Sequence, residues 1–160
     1  MPATADTPIA GPLVIASAAF SAASVSASWT AGAFRRLELH LRVTASGAGN
    51  AVVTLTGLGG TYSSWAVGNL SATAGDSPWP SVANAATWTV QNGAYLGQTD
   101  ASFQVAAGGL RTFTSTMLDA SNGYVFLTQG SNTDTTSAVS GLTLTFPGTT
   151  AGWFELIGYA

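Results

Sequence analysis

The run Arg36-Leu-Glu-Leu-His-Leu-Arg-Val43 alternates polar and apolar residues without a break, and it constrains the fold more than any other stretch of the chain. A two-residue period puts Leu37, Leu39, Leu41 and Val43 on one face of a β-strand and Arg36, Glu38, His40 and Arg42 on the other. A helix would scatter the same leucines around its circumference. Other β-rich runs follow the same logic: residues 51–56, 124–128, Leu142-Thr-Leu-Thr-Phe146, and Trp153-Phe-Glu-Leu-Ile157. Thr87-Trp-Thr-Val90, Ala101-Ser-Phe-Gln-Val105 and Arg111-Thr-Phe-Thr114 are shorter candidates. Pro147-Gly148 is expected to stop the strand before it, and Gly57-Leu-Gly-Gly60 and Ser46-Gly-Ala-Gly-Asn50 read as turns. Short β runs between Gly, Asn, Pro and Ser turns indicate an all-β, antiparallel β-sandwich or barrel.

The segment 16–31 is ambiguous, because alanine is the best helix former. Its large residues Phe20, Val25 and Trp29 stand five and four apart, which suits neither a helical face nor a regular strand. Context favours extended structure. No composition shift divides the 160 residues, so a single domain is expected, with an irregular lead-in over about residues 1–14. Residues 7–35 lack charge until Arg35, yet prolines, glycines and small residues leave them short of the roughly 20 apolar residues of a membrane span. No positive region opens a secretory signal, so neither a span nor a signal is expected.

Charge scarcity sets the chemistry. Charged residues are 7% of the chain, with four Lys and Arg together, one His and no Cys. No disulfide, zinc-thiolate site or cysteine nucleophile is available, and so few cations make nucleic acid an improbable partner. A net charge of -3 gives little self-repulsion, while five Trp, four Tyr and seven Phe supply enough apolar area for a core. A surface of Ala, Ser, Thr and Gly packs readily against other protein. The chain is therefore expected to sit inside an assembly.

Two sets of residues are candidates for an interface or a ligand. The first is the row Arg36, Glu38, His40 and Arg42, either an interface and anion stripe or a solvated face that discourages edge pairing. The second is aromatic: Trp79, held between Pro78 and Pro80 in a stiff loop, with Tyr62, Trp65 and Trp88 beside turns. A flat ring on a stiff loop can stack on a sugar or fill a neighbour's pocket; the alternative is that each ring closes its own core. No catalytic set emerges. Glu38 and Glu155 lie far apart in sequence, and a Ser-His-Asp site would need a serine folded beside His40. No lysine follows the glycines of Gly57-Leu-Gly-Gly60, so they form no phosphate loop. Asn132, Asp134 and Thr136 alternate oxygen groups as in a weak calcium loop, although one acidic side chain favours a plain turn. No cofactor or metal is expected.

Both ends of the chain carry a resemblance. Phe34-Arg-Arg-Leu-Glu-Leu-His-Leu-Arg-Val43 is similar to the early strand of small β-sandwich virion proteins of tailed bacteriophages. Gly59-Gly-Thr-Tyr-Ser-Ser64 matches their turn and Tyr-Ser pair, and Val139–Phe146 with Gly152–Tyr159 resembles their closing strands. The last Gly and Tyr stand in reversed order, and residues 66 to 120 carry no resemblance. The likeness implies a jelly-roll module in a tail fibre, tail tip or capsid decoration, commonly trimeric, and it carries no catalytic residues. The expectation is a non-enzymatic virion component, a homotrimer contacting other virion proteins and the host surface, with no membrane insertion. The alternative is a carbohydrate-binding module using the loop Trp and Tyr rings, with a host-surface glycan as ligand.

Overall fold

A computed structural model describes residues 11–45, 50–69, 77–85, 87–91, 96–120, 123 and 125–160. The turn at 46–49, residues 1–10 of the lead-in, and the side chains of Trp65 and Trp79 lie outside that description. Among the described residues the elements are all strands: β1 (Leu13–Ser28), β2 (Arg36–Ala45), β3 (Ala51–Thr56), β4 (Tyr62–Asn69) and β5 (Ser77–Ala85). The second half adds β6 (Trp88–Gln91), β7 (Gly97–Gln104), β8 (Arg111–Asp119), β9 (Val125–Asn132) and β10 (Gly141–Tyr159). They form one antiparallel sheet in the order β5-β4-β9-β8-β7-β2-β10-β3-β6, with β1 also paired to β10, and the sheet curls until it nearly closes into a barrel.

The spine is β10, 19 residues long. Its first part pairs with β3, from Gly141↔Thr56 to Thr145↔Val52, and its last part with β2, from Ala151↔Ala45 to Tyr159↔Arg36. Pro147-Gly148 does not end the strand as the sequence suggested. It lies where the partner changes from β3 to β2, and among the described residues none from Phe146 to Thr149 is paired. A proline without an N–H is harmless at a position where the ladder asks for no donor.

Segment 16–31 is extended over most of its length, within a strand that begins at Leu13. The odd spacing of Phe20 and Val25 has a cause. A register shift moves the pairing from Ala22↔Thr150 to Ser24↔Thr145, and across it an even-numbered inward set (Phe20, Ala22) becomes an odd-numbered one (Val25, Ala27). Phe20, Val25 and Ala27 all pack against the core.

Inside the curl, Leu37, Leu39, Leu41 and Val43 meet Val53, Leu55, Leu144, Phe154 and Leu156. The aromatic centre is Trp88, fully buried on β6, with ring centroids 5.0 Å from Tyr62, 4.8 Å from Phe113 and 5.9 Å from Phe103. Its indole Nε1–H donates to the Ser131 carbonyl at 3.1 Å, so the one polar atom of the ring is satisfied. Gly130 gives Phe113 its room: a Cβ there would stand 2.5 Å from that ring and 2.1 Å from the Ser63 carbonyl oxygen.

Candidate functional site

The alternation of β2 sends Arg36, Glu38, His40 and Arg42 to the outer face of the sheet, as its period requires. Topology then decides their company. On one side β7 sets Gln104, Ser102, Asp100 and Gln98 opposite these four residues, and on the other β10 sets Tyr159, Ile157, Glu155 and Trp153 opposite them. Three strands from distant parts of the chain thus pool their polar residues on one surface.

The upper part of this surface is closed by mutual contacts. Arg36 Nη2 lies 3.1 Å from Glu38 Oε1, its guanidinium sits 4.1 Å over the Tyr159 ring, and the Tyr159 hydroxyl donates to Glu38 Oε2 at 2.6 Å. That hydrogen bond to a carboxylate raises the Tyr159 phenol above its ordinary range, because deprotonation would set two anions side by side. In the middle, His40 Nδ1 and Asp100 Oδ1 stand 2.7 Å apart, and Gln98 Nε2 donates to Asp100 Oδ2 at 2.8 Å.

Two open troughs flank His40. One, of about 350 Å³, is lined by His40, Leu41, Arg42, Gln98, Trp153 and Glu155. The other, of about 230 Å³, is lined by Glu38, His40, Asp100, Ala101, Ser102, Thr114 and Thr116. Among the described residues, neither the Arg42 guanidinium nor the Glu155 carboxylate has a hydrogen-bond or ion-pair partner, and the Trp153 ring is 39% exposed. The fold therefore brings Glu155 and Trp153 to the predicted row. In the sequence Glu155 stands far from Glu38, and no local pattern singles out Trp153, Gln98 or Asp100. The parity of Trp153, Glu155, Ile157 and Tyr159 against Phe154 and Leu156 marked them as one face; only the pairing of β10 with β2 shows which face they share.

The fold also sets Ser102 in the trough beside the His40–Asp100 couple. A serine hydrolase needs, besides that couple, N–H donors aimed at a developing oxyanion. β2 lies between β10 and β7, and β7 between β2 and β8, so the backbone amides around His40 and Asp100 are committed to sheet ladders.

Four aromatic assignments need correction. Tyr62 and Trp88 are buried, 3% and 0% exposed, and form the centre of the core, so they offer no platform for a ligand. The Trp79 backbone lies within β5, opposite Ala66, rather than in a loop. β5 ends the strand order, and an edge strand tolerates Pro78 and Pro80 because one of its sides asks for no N–H donors. Trp65 lies mid-strand in β4, opposite Gln129.

A second polar cluster closes one end of the molecule. The 133–140 loop between β9 and β10 is tied to the β3–β4 turn: Gly59 N–H donates to Asp134 Oδ2 at 2.8 Å, and Thr61 N–H to Thr133 Oγ1 at 2.9 Å. Thr136 and Ser137 amides donate to Asp134 Oδ1 at 2.9 and 3.0 Å, and Asp134 N–H to Asn132 Oδ1 at 2.7 Å. The Ser137 hydroxyl and amide, then the Thr136 and Gly59 amides, hold the Asp134 carboxyl well below the usual carboxylate range. These oxygens face N–H donors, so the Asn132, Asp134 and Thr136 set is a loop clasp and does not fit calcium. Gly60, at φ +72°, passes so close that a Cβ would stand 2.6 Å from Thr133 Oγ1. Behind the loop, fully buried Arg111 donates through Nη2 to the Ser137 carbonyl, and its Nε and Nη1 have no partner among the described residues. Burial lowers the Arg111 pKa, against the pull of nearby Asp134. Arg111 was legible in principle, since it shares its parity on β8 with inward Phe113 and Met117.

The fold and this surface define an all-β protein carrying a mixed aromatic and polar trough on its sheet. Comparison with protein-family models and with curated proteins finds no match.

Proposed function

We propose that this chain is a non-enzymatic structural component of a tailed-phage particle, in a tail fibre, tail tip or head decoration, and that it works by pairing with copies of itself. The observation that carries the assembly reading is the outer edge of β1. This strand runs 16 residues from Leu13 to Ser28 with no charged residue and no proline. Among the described residues it pairs with β10 alone. Such an edge presents a row of free N–H and C=O groups, and natural proteins usually blunt long edges with lysine, proline or a covering element. A second copy of this chain supplies matching groups without bringing in charge.

A further support is the outer face of β8 and β9. Its residues Thr112, Thr114, Thr116 and Leu118 pair with Ser131, Gln129, Leu127 and Val125, with no charge among them. Leu118, Val125 and Leu127 are 51%, 45% and 37% exposed. The phage assignment draws support from the two chain ends that carry the resemblance, since β2 and the end of β10 pair directly. The curled sheet supports a sandwich, β10 bridging its two halves, whereas the sequential neighbours β7, β8 and β9 favour a meander within it over a complete jelly-roll wrap. β1 against β1 would give a two-fold dimer; a trimer, the proposed unit, needs β1 to meet a different edge of the next copy.

Light scattering tests this. The expected mass is three times 16.1 kDa, falling to the monomer when exposed Ser17 and Ser21 are both replaced by lysine, with circular dichroism unchanged. A dimer would keep the assembly and revise its symmetry. A wild-type monomer at micromolar concentration would end the proposal.

A further inference from the structure

We infer that the trough between β2, β7 and β10 is a binding site for a neutral glycan, with Trp153 as its stacking platform. The site is not one the aromatic pattern of the sequence indicated, and it stands apart from the assembly reading, because its lining lies on β2, β7 and β10 and not along the outer edge of β1.

The ligand class follows from what the trough leaves unsatisfied. Its volume of about 350 Å³ falls at the small end of ligand pockets, which run roughly 300–1,000 Å³. One wall is the part-exposed indole of Trp153. Around it stand two groups without a partner among the described residues: a donor, the Arg42 guanidinium, and an acceptor, the Glu155 carboxylate. His40 is oriented by Asp100 through Nδ1, which leaves its Nε2 as a further polar atom at the junction of the two troughs. Gln98 gives its amide N–H to Asp100 and keeps its carbonyl oxygen.

Charge narrows the choice. Arg42 and Glu155 cancel, so an anionic ligand meets Glu155 and Asp100, and a cationic one meets Arg42. A purely apolar ligand would strip water from both charged groups and return no hydrogen bond. A sugar ring satisfies every demand together. Its C–H face lies on the indole, its hydroxyls donate to Glu155 and the Gln98 carbonyl, and its oxygens accept from Arg42. The 230 Å³ trough continues past His40 toward Ser102, Thr114 and Thr116, all hydroxyl-bearing, and gives a second ring a place.

The test is an array of neutral oligosaccharides terminating in glucose, galactose, mannose and N-acetylhexosamines, with sialylated and sulfated glycans as a separate arm. It is read with the full chain and with Trp153→Ala, Glu155→Gln and Trp153→Tyr. Saturable binding to neutral members is expected. Affinity falls by about tenfold or more in W153A, as loss of an aromatic contact implies, falls less in E155Q, and is largely kept in W153Y. Trp153 lies on the surface, and circular dichroism confirms that each variant is folded. No binding to any neutral member at millimolar concentration, binding indifferent to W153A, or binding confined to the anionic arm overturns the inference. Light scattering on the same samples reports assembly separately, so the two proposals fail independently.

Discussion

The loop clasp at one end of the molecule and the trough on the sheet face each hold one arginine and one carboxylate, and they use them in opposite ways. At the clasp, Asp134 accepts from the amides of Gly59, Thr136 and Ser137, while Arg111 is fully buried against the same loop. At the trough, Arg42 and Glu155 face solvent on neighbouring strands with no partner among the described residues. In a chain with four cationic and seven acidic side chains, charge at the clasp holds elements together and charge at the trough makes no such contact among the described residues. The difference is one of strand parity. Arg111 occupies an inward position of β8 and Arg42 an outward position of β2.

Stability measurements should separate the two arginines most widely. Arg111→Ala leaves a cavity where a large side chain was fully buried, and by analogy with core truncations it should cost about 2–5 kcal/mol in urea unfolding. Arg42→Ala should stay within about 0.5 kcal/mol, as surface substitutions do. Arg111→Met sharpens the point: it keeps most of the volume and removes two N–H-bearing atoms that have no acceptor among the described residues. Each such atom carries a desolvation cost of about 1–3 kcal/mol, so this variant should be clearly more stable than R111A. Equal losses for R111A and R42A would erase the distinction between the two regions.

The clasp carboxylate gives a pH signature that the trough does not share. With its folded-state pKa depressed, Asp134 adds stability that is fully present above the unfolded value, near 4, and is lost as pH falls through the folded one. Asp134→Asn should therefore unfold at lower urea than wild type at pH 7. The gap between the two should narrow progressively below about pH 4, where wild type begins to lose the same contribution. A gap constant from pH 7 to pH 2 would show that the amides bind the side-chain oxygens without regard to charge.

Much of the architecture was legible because β-structure writes its faces into alternate residues. The inward leucines of β2 and the strands at β6, β7 and β8 follow from local pattern, and the extended state of 16–31 follows from its context. Three features escaped for one physical reason: each depends on a partner far along the chain. Pro147-Gly148 reads as a stop unless the change from β3 to β2 is known. Phe20 and Val25 read as irregular unless the bulge opposite β10 is known. Trp88 and Tyr62 read as turn aromatics, because both begin their strands, and only the packing of β6 across β7 and β8 shows that they meet Phe103 and Phe113 inside. The site divides likewise: four of its outward residues came from one strand's period, and Trp153 and Glu155 arrived through the closure of β10 on β2.

The smallest effect concerns the closed end of the same outer face, and it asks whether contact or position decides a residue's behaviour. Tyr159 shares the outward parity of Trp153 and Glu155, yet its hydroxyl is held by Glu38 at 2.6 Å while Arg36 lies over its ring. The Glu38 carboxylate is the main reason its phenol titrates high, with the guanidinium acting in the other direction. Glu38→Gln removes the anion and keeps a hydrogen-bond acceptor, so phenolate absorbance should rise at lower pH for one of the four tyrosines. By linkage, a raised phenol pKa adds stability that holds below the unfolded value, near 10, and disappears as pH rises through the folded one. Wild type and E38Q should therefore differ in stability at neutral pH and converge in strong alkali. An unchanged phenolate titration would mean that Tyr159 is as independent of its neighbours as Trp153, and that nothing on this face distinguishes a closed half from an open one.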